Sequence, residues 1–195
     1  MSLGDKGGTD PPPLLVVISG PSGVGKDAVI AQMRTSQPGL TFAVTATTRP
    51  MRAGEVDGRD YVFLSTKRFA AMLADDGFLE HAEVYGNRYG VPRQGVRAAL
   101  AAGRDVVVKI DVQGAATIRE IAPDALLIFL AAPSAKELER RLRARKTDSP
   151  EQLQVRIETA QHETQQAGWF DVTIVNETGA VGQTVALIVE AMEEQ

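Results

Sequence analysis

Gly20-Pro21-Ser22-Gly23-Val24-Gly25-Lys26 fits G-x-x-x-x-G-K, the pattern of phosphate-binding loops. Its flanks fit as well. Leu14 to Ile18 is an apolar, β-branched run that predicts a buried strand. After the loop, Ala28, Val29, Ile30 and Met33 recur at helical spacing. In a strand–loop–helix unit the glycines let backbone N–H groups turn toward phosphate oxygens, and the helix adds its N-terminal dipole. Lys26 adds a mobile positive charge for the β- and γ-phosphates. A glycine-rich turn with an incidental lysine is the alternative, and the flanking strand and helix weigh against it. Such loops normally continue with Ser or Thr, but here Asp27 follows. Two compatible readings stay open for it: an oxygen ligand for Mg²⁺, or a charge that favours the helix dipole.

The chain has 195 residues, enough for one sizeable core with inserted subdomains. A net charge of −4 gives no global attraction for nucleic acid or an anionic membrane. The absence of Cys excludes disulfides and cysteine-based zinc sites. No apolar run approaches a membrane span and no signal peptide precedes the first strand, so the expected compartment is the cytoplasm. Residues 1–13, rich in Gly, Asp and Pro, are expected to be a disordered tail.

Farther along, Leu40, Phe42 and Val44 alternate with polar or small residues and predict a second strand. The stretch Thr47 to Tyr61 has too few apolar residues for core. Its Arg49 and Arg52, held by Pro50 and Gly54, suit a clamp for a second phosphate; an ordinary solvated loop is the alternative. Ser65 or Thr66 caps a short helix carrying Phe69, Met72 and Leu73. Phe78 to Val84 reads as a strand, Tyr85 to Gly90 as turn-rich, and Pro92 as the start of a helix reaching Ala102. Asp105 to Ile110 is a further strand with Asp111 at its C-terminal end, where open parallel sheets bind ligands. Ala125 to Leu130 is another. Ser134 with Glu137 opens a helix bearing Arg140, Arg141, Arg143, Arg145 and Lys146. That basic run reads as a solvated face, a nucleic-acid patch, or a lid bringing Arg onto a transferring phosphate. Ser149-Pro150 with Gln152 opens the helix that carries Arg156. A strand Val172 to Val175, then Asn176, then a helix Val181 to Met192 close the chain. Strands alternating with helices predict α/β, a doubly wound parallel five-stranded sheet. His81 and His162 are lone and far apart, and are expected as surface or partly buried residues rather than ligands; Trp169 and Phe170 are expected in the core.

Beyond the tail, nearly the whole chain resembles a guanylate kinase. The specific part is Thr47-Thr48-Arg49 with Arg52-Ala53-Gly54-Glu55-Val56-Asp57-Gly58 and Asp60-Tyr61. Phe78-Leu79-Glu80, Tyr89-Gly90, Asp111-Val112-Gln113-Gly114, Ala132-Pro133-Ser134 and Ile174-Val175-Asn176 support it. The resemblance implies a core of residues 14–44, 92–134 and 157–195, an inserted GMP-binding subdomain at 45–91 and a helical lid at 135–156. It implies that Arg49, Arg52, Tyr61 and Tyr89 hold the GMP phosphate, with Thr45, Glu80 and Asp111 completing that site. Arg141, Arg145 and Arg156 match lid arginines that approach the ATP phosphates, and Asn176 matches the adenine side. The loop Gly20, Pro21, Ser22, Gly23, Val24, Gly25, Lys26 and Asp27 would take ATP with Mg²⁺.

Four positions depart from the family pattern. Asp27 stands for the hydroxyl residue, Lys109 for an acid two residues before Asp111, Val91 for a Ser or Thr on the guanine side, and Lys146 for the Gly after the lid Arg. The first two keep the local charge about constant. The implied reaction is ATP + GMP giving ADP + GDP, with no nucleic-acid or membrane partner. A related kinase acting on another acceptor such as a ribose bisphosphate is disfavoured by the intact Arg49-to-Tyr61 stretch and Glu80. A non-catalytic scaffold is disfavoured by the intact phosphate loop. Nucleic-acid binding through the arginine run is disfavoured by the acidic balance and by the absence of interleaved aromatics.

Overall fold

The computed structural model describes residues 11–144 and 149–195. Most of the expected tail and the segment holding Arg145 and Lys146 lie outside the described residues. Strand β1 (Leu15–Ser19) is entirely buried and lies at the centre of a parallel sheet. Its neighbours are β7 (Val106–Lys109) and β8 (Leu126–Ala131), with β2 (Thr41–Phe42) and β9 (Val172–Val175) at the edges. All four pairings are parallel.

The period of two in these strands sorts side chains onto two cores. Val16, Ile18, Val107, Leu126, Ile128 and Leu130 face one side. There they meet α1 (Lys26–Ser36), α5 (Ala135–Arg143), α6 (Pro150–Gln165) and α7 (Val181–Glu193). Leu15, Val17, Val106, Val108, Leu127 and Phe129 face the other, against α3 (Arg93–Ala101) and α4 (Val112–Ile121). Helices on both faces explain why the strands read as continuous apolar runs.

Between β2 and α3 a second sheet is inserted, in the order β4 (Val62–Phe63), β3 (Ala46–Thr47), β6 (Asn87–Pro92), β5 (Phe78–Val84). Helix α2 (Thr66–Ala74), capped by Ser65, packs on it. Its core is small: Ala46, Phe69 and Phe78, with the two phenyl rings 4.4 Å apart. The segment expected as turn-rich is mostly strand. Only Tyr85 and Gly86 turn, both with positive φ (50° and 72°), the geometry of a tight two-residue hairpin. The expected strand at Leu40 to Val44 shortens to two residues, because the chain leaves the first sheet there to enter the second.

His81 and His162 are exposed, Phe170 is buried and Trp169 stacks on it at 4.1 Å. Among the described residues no helix is long and apolar enough to cross a membrane.

Ile188 is fully buried where α7 meets the sheet and α1. Ile188→Ala is expected to destabilise the fold by about 2–5 kcal/mol. Urea unfolding should show a lower midpoint with an unchanged slope.

Candidate active site

The loop after β1 takes its shape from two close approaches. Gly20 has φ 134°, and a Cβ there would run into the Leu130 carbonyl of the neighbouring strand. Gly25 has φ 106°, and a Cβ there would stand 2.5 Å from the Asn176 amide nitrogen. Gly25 is also the N-cap of α1, and no side chain caps that helix. Ser65, Asp111, Ser134 and Ser149 do cap α2, α4, α5 and α6. The start of α1 is therefore left open to an anion, at the C-terminal edge of the sheet. The Lys26 ammonium is folded back onto the Gly20 and Pro21 carbonyls of its own loop. Burial lowers its pKa, against the opposing pull of Glu163 and Asp27.

Several residues expected at the ATP site stand behind the loop. The Val24 carbonyl accepts from Asn176 Nδ2 at 2.8 Å and from Arg141 Nη1 at 3.0 Å. Asn176 is buried, and its Oδ1 accepts from the Thr184 hydroxyl at 2.9 Å. Arg141 also donates to the Asn176 carbonyl, the Thr178 hydroxyl and Glu137. Arg156 lines the cleft, with its guanidinium 4.9 Å from the centre of the Tyr85 ring at the hairpin tip. Glu163, which the sequence reading missed, also lines it and accepts from the Ser22 N–H at 3.0 Å. Burial raises its pKa. Its place seven residues after Arg156, on the same helix face, is the signal that was available.

Opposite the loop lies a cationic and aromatic cluster. Arg49 is buried, unlike a solvated-loop residue, because Thr47 and the strand pairing of β3 with β6 carry it inward. Its guanidinium forms a bidentate pair with Glu55, at 2.7 and 3.0 Å, and sits 5.2 Å over the Tyr61 ring. Tyr61 meets Tyr89 edge to face at 6.1 Å. Arg52 is exposed at the cleft wall. The Thr45 hydroxyl donates to the Lys109 carbonyl at 3.3 Å. The Lys109 ammonium lies 2.5 Å from Asp27 Oδ1 and donates to the Tyr61 hydroxyl at 3.0 Å. Burial works against its charge, but Tyr61 and Asp27 leave its pKa raised.

The floor of the cleft is acidic. Glu80 is only 4% exposed. Its cross-strand neighbour is the apolar, fully buried Val91, which offers it no hydrogen bond. Gly114 in the first turn of α4 makes room for it, since a Cβ there would be 2.5 Å from Glu80 Oε2. Burial, then the nearby Asp111, push Glu80 up to about 8. Asp111 caps α4 through Oδ1, which accepts from the Gly114 N–H at 2.8 Å, while its Oδ2 is buried with no hydrogen-bond partner. Burial raises its pKa too. An unpaired buried acceptor next to a carboxyl of raised pKa is a site shaped for a ligand with donors.

The family model described as Guanylate kinase matches residues 13–195. A guanylate kinase of Thermobifida fusca is 49% identical over 169 residues, covering 87% of this chain and 86% of that protein. One from Gloeobacter violaceus is 47% identical over 179 residues, covering 92% and 84%. The crystal structure of guanylate kinase from Anaplasma phagocytophilum superposes with a TM-score of 0.76 at 29% identity, covering 93% of this chain and 85% of that one. With a family match across nearly its whole length and relatives near half identity, this chain belongs to the guanylate kinase family.

Proposed function

We infer that this cleft transfers the terminal phosphoryl group of ATP to GMP, giving ADP and GDP. The observation that carries the reading is convergence. The loop lysine, the Arg49–Tyr61–Tyr89 cluster and the Glu80–Asp111 pair come from two different sheets and line one cleft. The loop and the open end of α1 suit the ATP phosphates. Arg49, Arg52, Tyr61 and Tyr89 suit the GMP phosphate. Glu80, Asp111 and Thr45 suit the guanine edge. In this reading residues 45–91 hold GMP, 135–156 form the lid with Arg141, Arg145 and Arg156, and 14–44, 92–134 and 157–195 are the core. Asn176, Val24 and Arg141 serve ATP by holding the loop in shape. The cytoplasm, where both nucleotides are available, is the proposed compartment.

A GMP phosphate is already ionised at neutral pH, so the chemistry needs alignment and charge neutralisation more than a base. Lys26 must turn from the Gly20 and Pro21 carbonyls toward phosphate. Arg49 already has its plane set by Glu55 and Tyr61. Mg²⁺ accompanies ATP in this reading. The carboxylate of Asp27, a hard oxygen donor beside Lys26 in the cleft, fits that ion, which would supply neutralising charge. Closure of the lid over the insertion excludes water, the competing acceptor.

Base choice follows from Glu80. Guanine presents two adjacent donors, N1–H and the 2-amino group, and an ionised carboxylate accepts both. Adenine presents an acceptor at N1 and would leave that carboxylate unpaired, a cost of roughly 1–3 kcal/mol or more for a charged group. Before GMP arrives Glu80 holds its proton up to about pH 8. GMP favours the ionised form, so binding below that pH releases a proton.

Four outcomes are expected. Lys26→Ala should fold normally and lose at least about a hundredfold in kcat, with KM for GMP changed by only a few fold. A near-normal kcat in the folded variant would place the chemistry elsewhere. GMP affinity, measured calorimetrically, should rise as pH climbs toward 8, by up to about tenfold per unit, and then level off. A flat profile rejects a protonated Glu80. Glu80→Gln should narrow the preference for GMP over AMP in kcat/KM, and an unchanged ratio removes Glu80 from the site. The same variant has a stability signature. The folded protein keeps the Glu80 proton to about pH 8, whereas an unfolded Glu loses it near 4.5. The native state thus binds more protons between those values, and this group's contribution to stability falls as pH rises through that window. Glu80→Gln should raise Tm at pH 8 relative to wild type and leave it unchanged at pH 4.

A further inference from the structure

Lys109 ends β7, so its side chain leaves the sheet at the edge where the cleft opens. Its ammonium has partners in both halves of the site. Asp27, 2.5 Å away, belongs to the first turn of α1 and follows Lys26. The Tyr61 hydroxyl, 3.0 Å away, belongs to the insertion. The Tyr61 ring lies 4.4 Å from the same ammonium and also carries the Arg49 guanidinium. Lys109 is mostly buried, with a side chain 16% exposed, whereas the Asp27 side chain is 69% exposed. The cation is therefore held in a set position between the two phosphate-binding groups, while its counterion stands at the mouth.

We propose that Lys109 is a substrate-binding residue of the transfer, a fixed cation seated where the donor and acceptor phosphates converge, with Tyr61 positioning it and Asp27 serving as its counterion until phosphate arrives. The proposal rests on the kinase reading above. In that reaction the bond between the γ-phosphorus and the β–γ bridging oxygen breaks, and its electron pair leaves on ADP. A bond forms from a GMP phosphate oxygen to the same phosphorus. Lys109 gives up no proton; it faces the negative charge concentrated when both phosphate chains are present. A mononucleotide fills one side only and draws little on it. A molecule carrying both nucleosides, adenosine–guanosine pentaphosphate, places phosphates across both sides.

The test is calorimetric titration of GMP and of adenosine–guanosine pentaphosphate into the full chain in metal-free, EDTA-containing buffer, beside kcat and KM with metal. Lys109→Met is expected to weaken the pentaphosphate by at least about tenfold, to change GMP affinity by no more than about twofold, and to lower kcat more than it raises KM for GMP. Lys109→Arg should recover part of the loss. Asp27→Asn is the second variant, independent of whether Lys109→Met folds. It removes a carboxylate that repels phosphate in the absence of metal, so the pentaphosphate should bind equally well or more tightly. Equal losses for both ligands, no loss for either, or weaker pentaphosphate binding by Asp27→Asn would overturn the proposal and leave the ion pair a structural tie. A wild-type chain that neither binds the pentaphosphate nor turns over GMP would refute the kinase reading itself, and the proposal with it.

Discussion

The Val24 carbonyl is the point from which the rest of the site is measured. A phosphate loop works only if its N–H groups face inward, and that turns some of its carbonyls outward, where each must find a donor. Val24 finds two, the Asn176 amide and the Arg141 guanidinium. Asn176 follows β9 and is itself held by Thr184 of α7. Arg141 sits on α5 and ties the loop to Glu137 and Thr178 as well. Three elements that follow β8 in the chain thus hold a loop that follows β1. The close approach of Gly20 to Leu130 fixes the other end. The loop takes its shape from groups outside itself, at the ends of β8 and β9 and on α5 and α7.

With the loop set, the cleft acquires a polarity. Lys26, Arg49, Arg52, Lys109 and Arg156 supply cations along the region read as phosphate-binding, while Glu80 and Asp111 supply the acidic floor. A purine monophosphate with donors on its base has the matching order of charges, negative at the phosphate and hydrogen-rich at the guanine edge. The two ends differ in how they tolerate an empty site. The cations are balanced by carboxylates from the protein: Glu55 on Arg49, Asp27 on Lys109 and Glu163 near Lys26. On the floor Lys26 acts on Asp111 alone, and burial beside that acid leaves Glu80 holding a proton. Opposite-charge neighbours at one end and a raised carboxyl pKa at the other are two answers to the same desolvation penalty.

The hairpin and α6 join these ends. Tyr85, at the tip of the β5–β6 hairpin, lies under the Arg156 guanidinium, and Glu163 of the same helix accepts from the loop at Ser22. A motion that brings the insertion toward the loop therefore involves α6 as well, since all three touch in one place.

Local chemistry made much of this readable from sequence. Apolar runs of strand length, the glycine pattern after the first of them and the Ser caps before helices are all short-range signals. They located β1, the loop, α1, β7 and β8 to within a residue or two, and the starts of α5 and α6. The order of strands and helices implied the parallel sheet, because crossovers of helical length admit little else. The family pattern from Thr47 to Tyr61 and at Glu80 pointed to the cleft residues by type. What sequence could not supply was the state of each side chain, which depends on neighbours distant in the chain. Asn176 could be placed near ATP, but only the fold shows it buried behind the loop, 152 positions from the Val24 carbonyl it holds. Lys109 and Asp27 could be read as departures that balance in charge, but only β7 shows the two side chains in contact, 82 positions apart in the chain. Arg49 looked like a loop residue until the β3–β6 pairing buried it. Sequence determined which elements form and which chemistry they carry; the tertiary structure decided which charges meet and which are desolvated, because Coulomb and hydration energies depend on distance in space and not on separation along the chain.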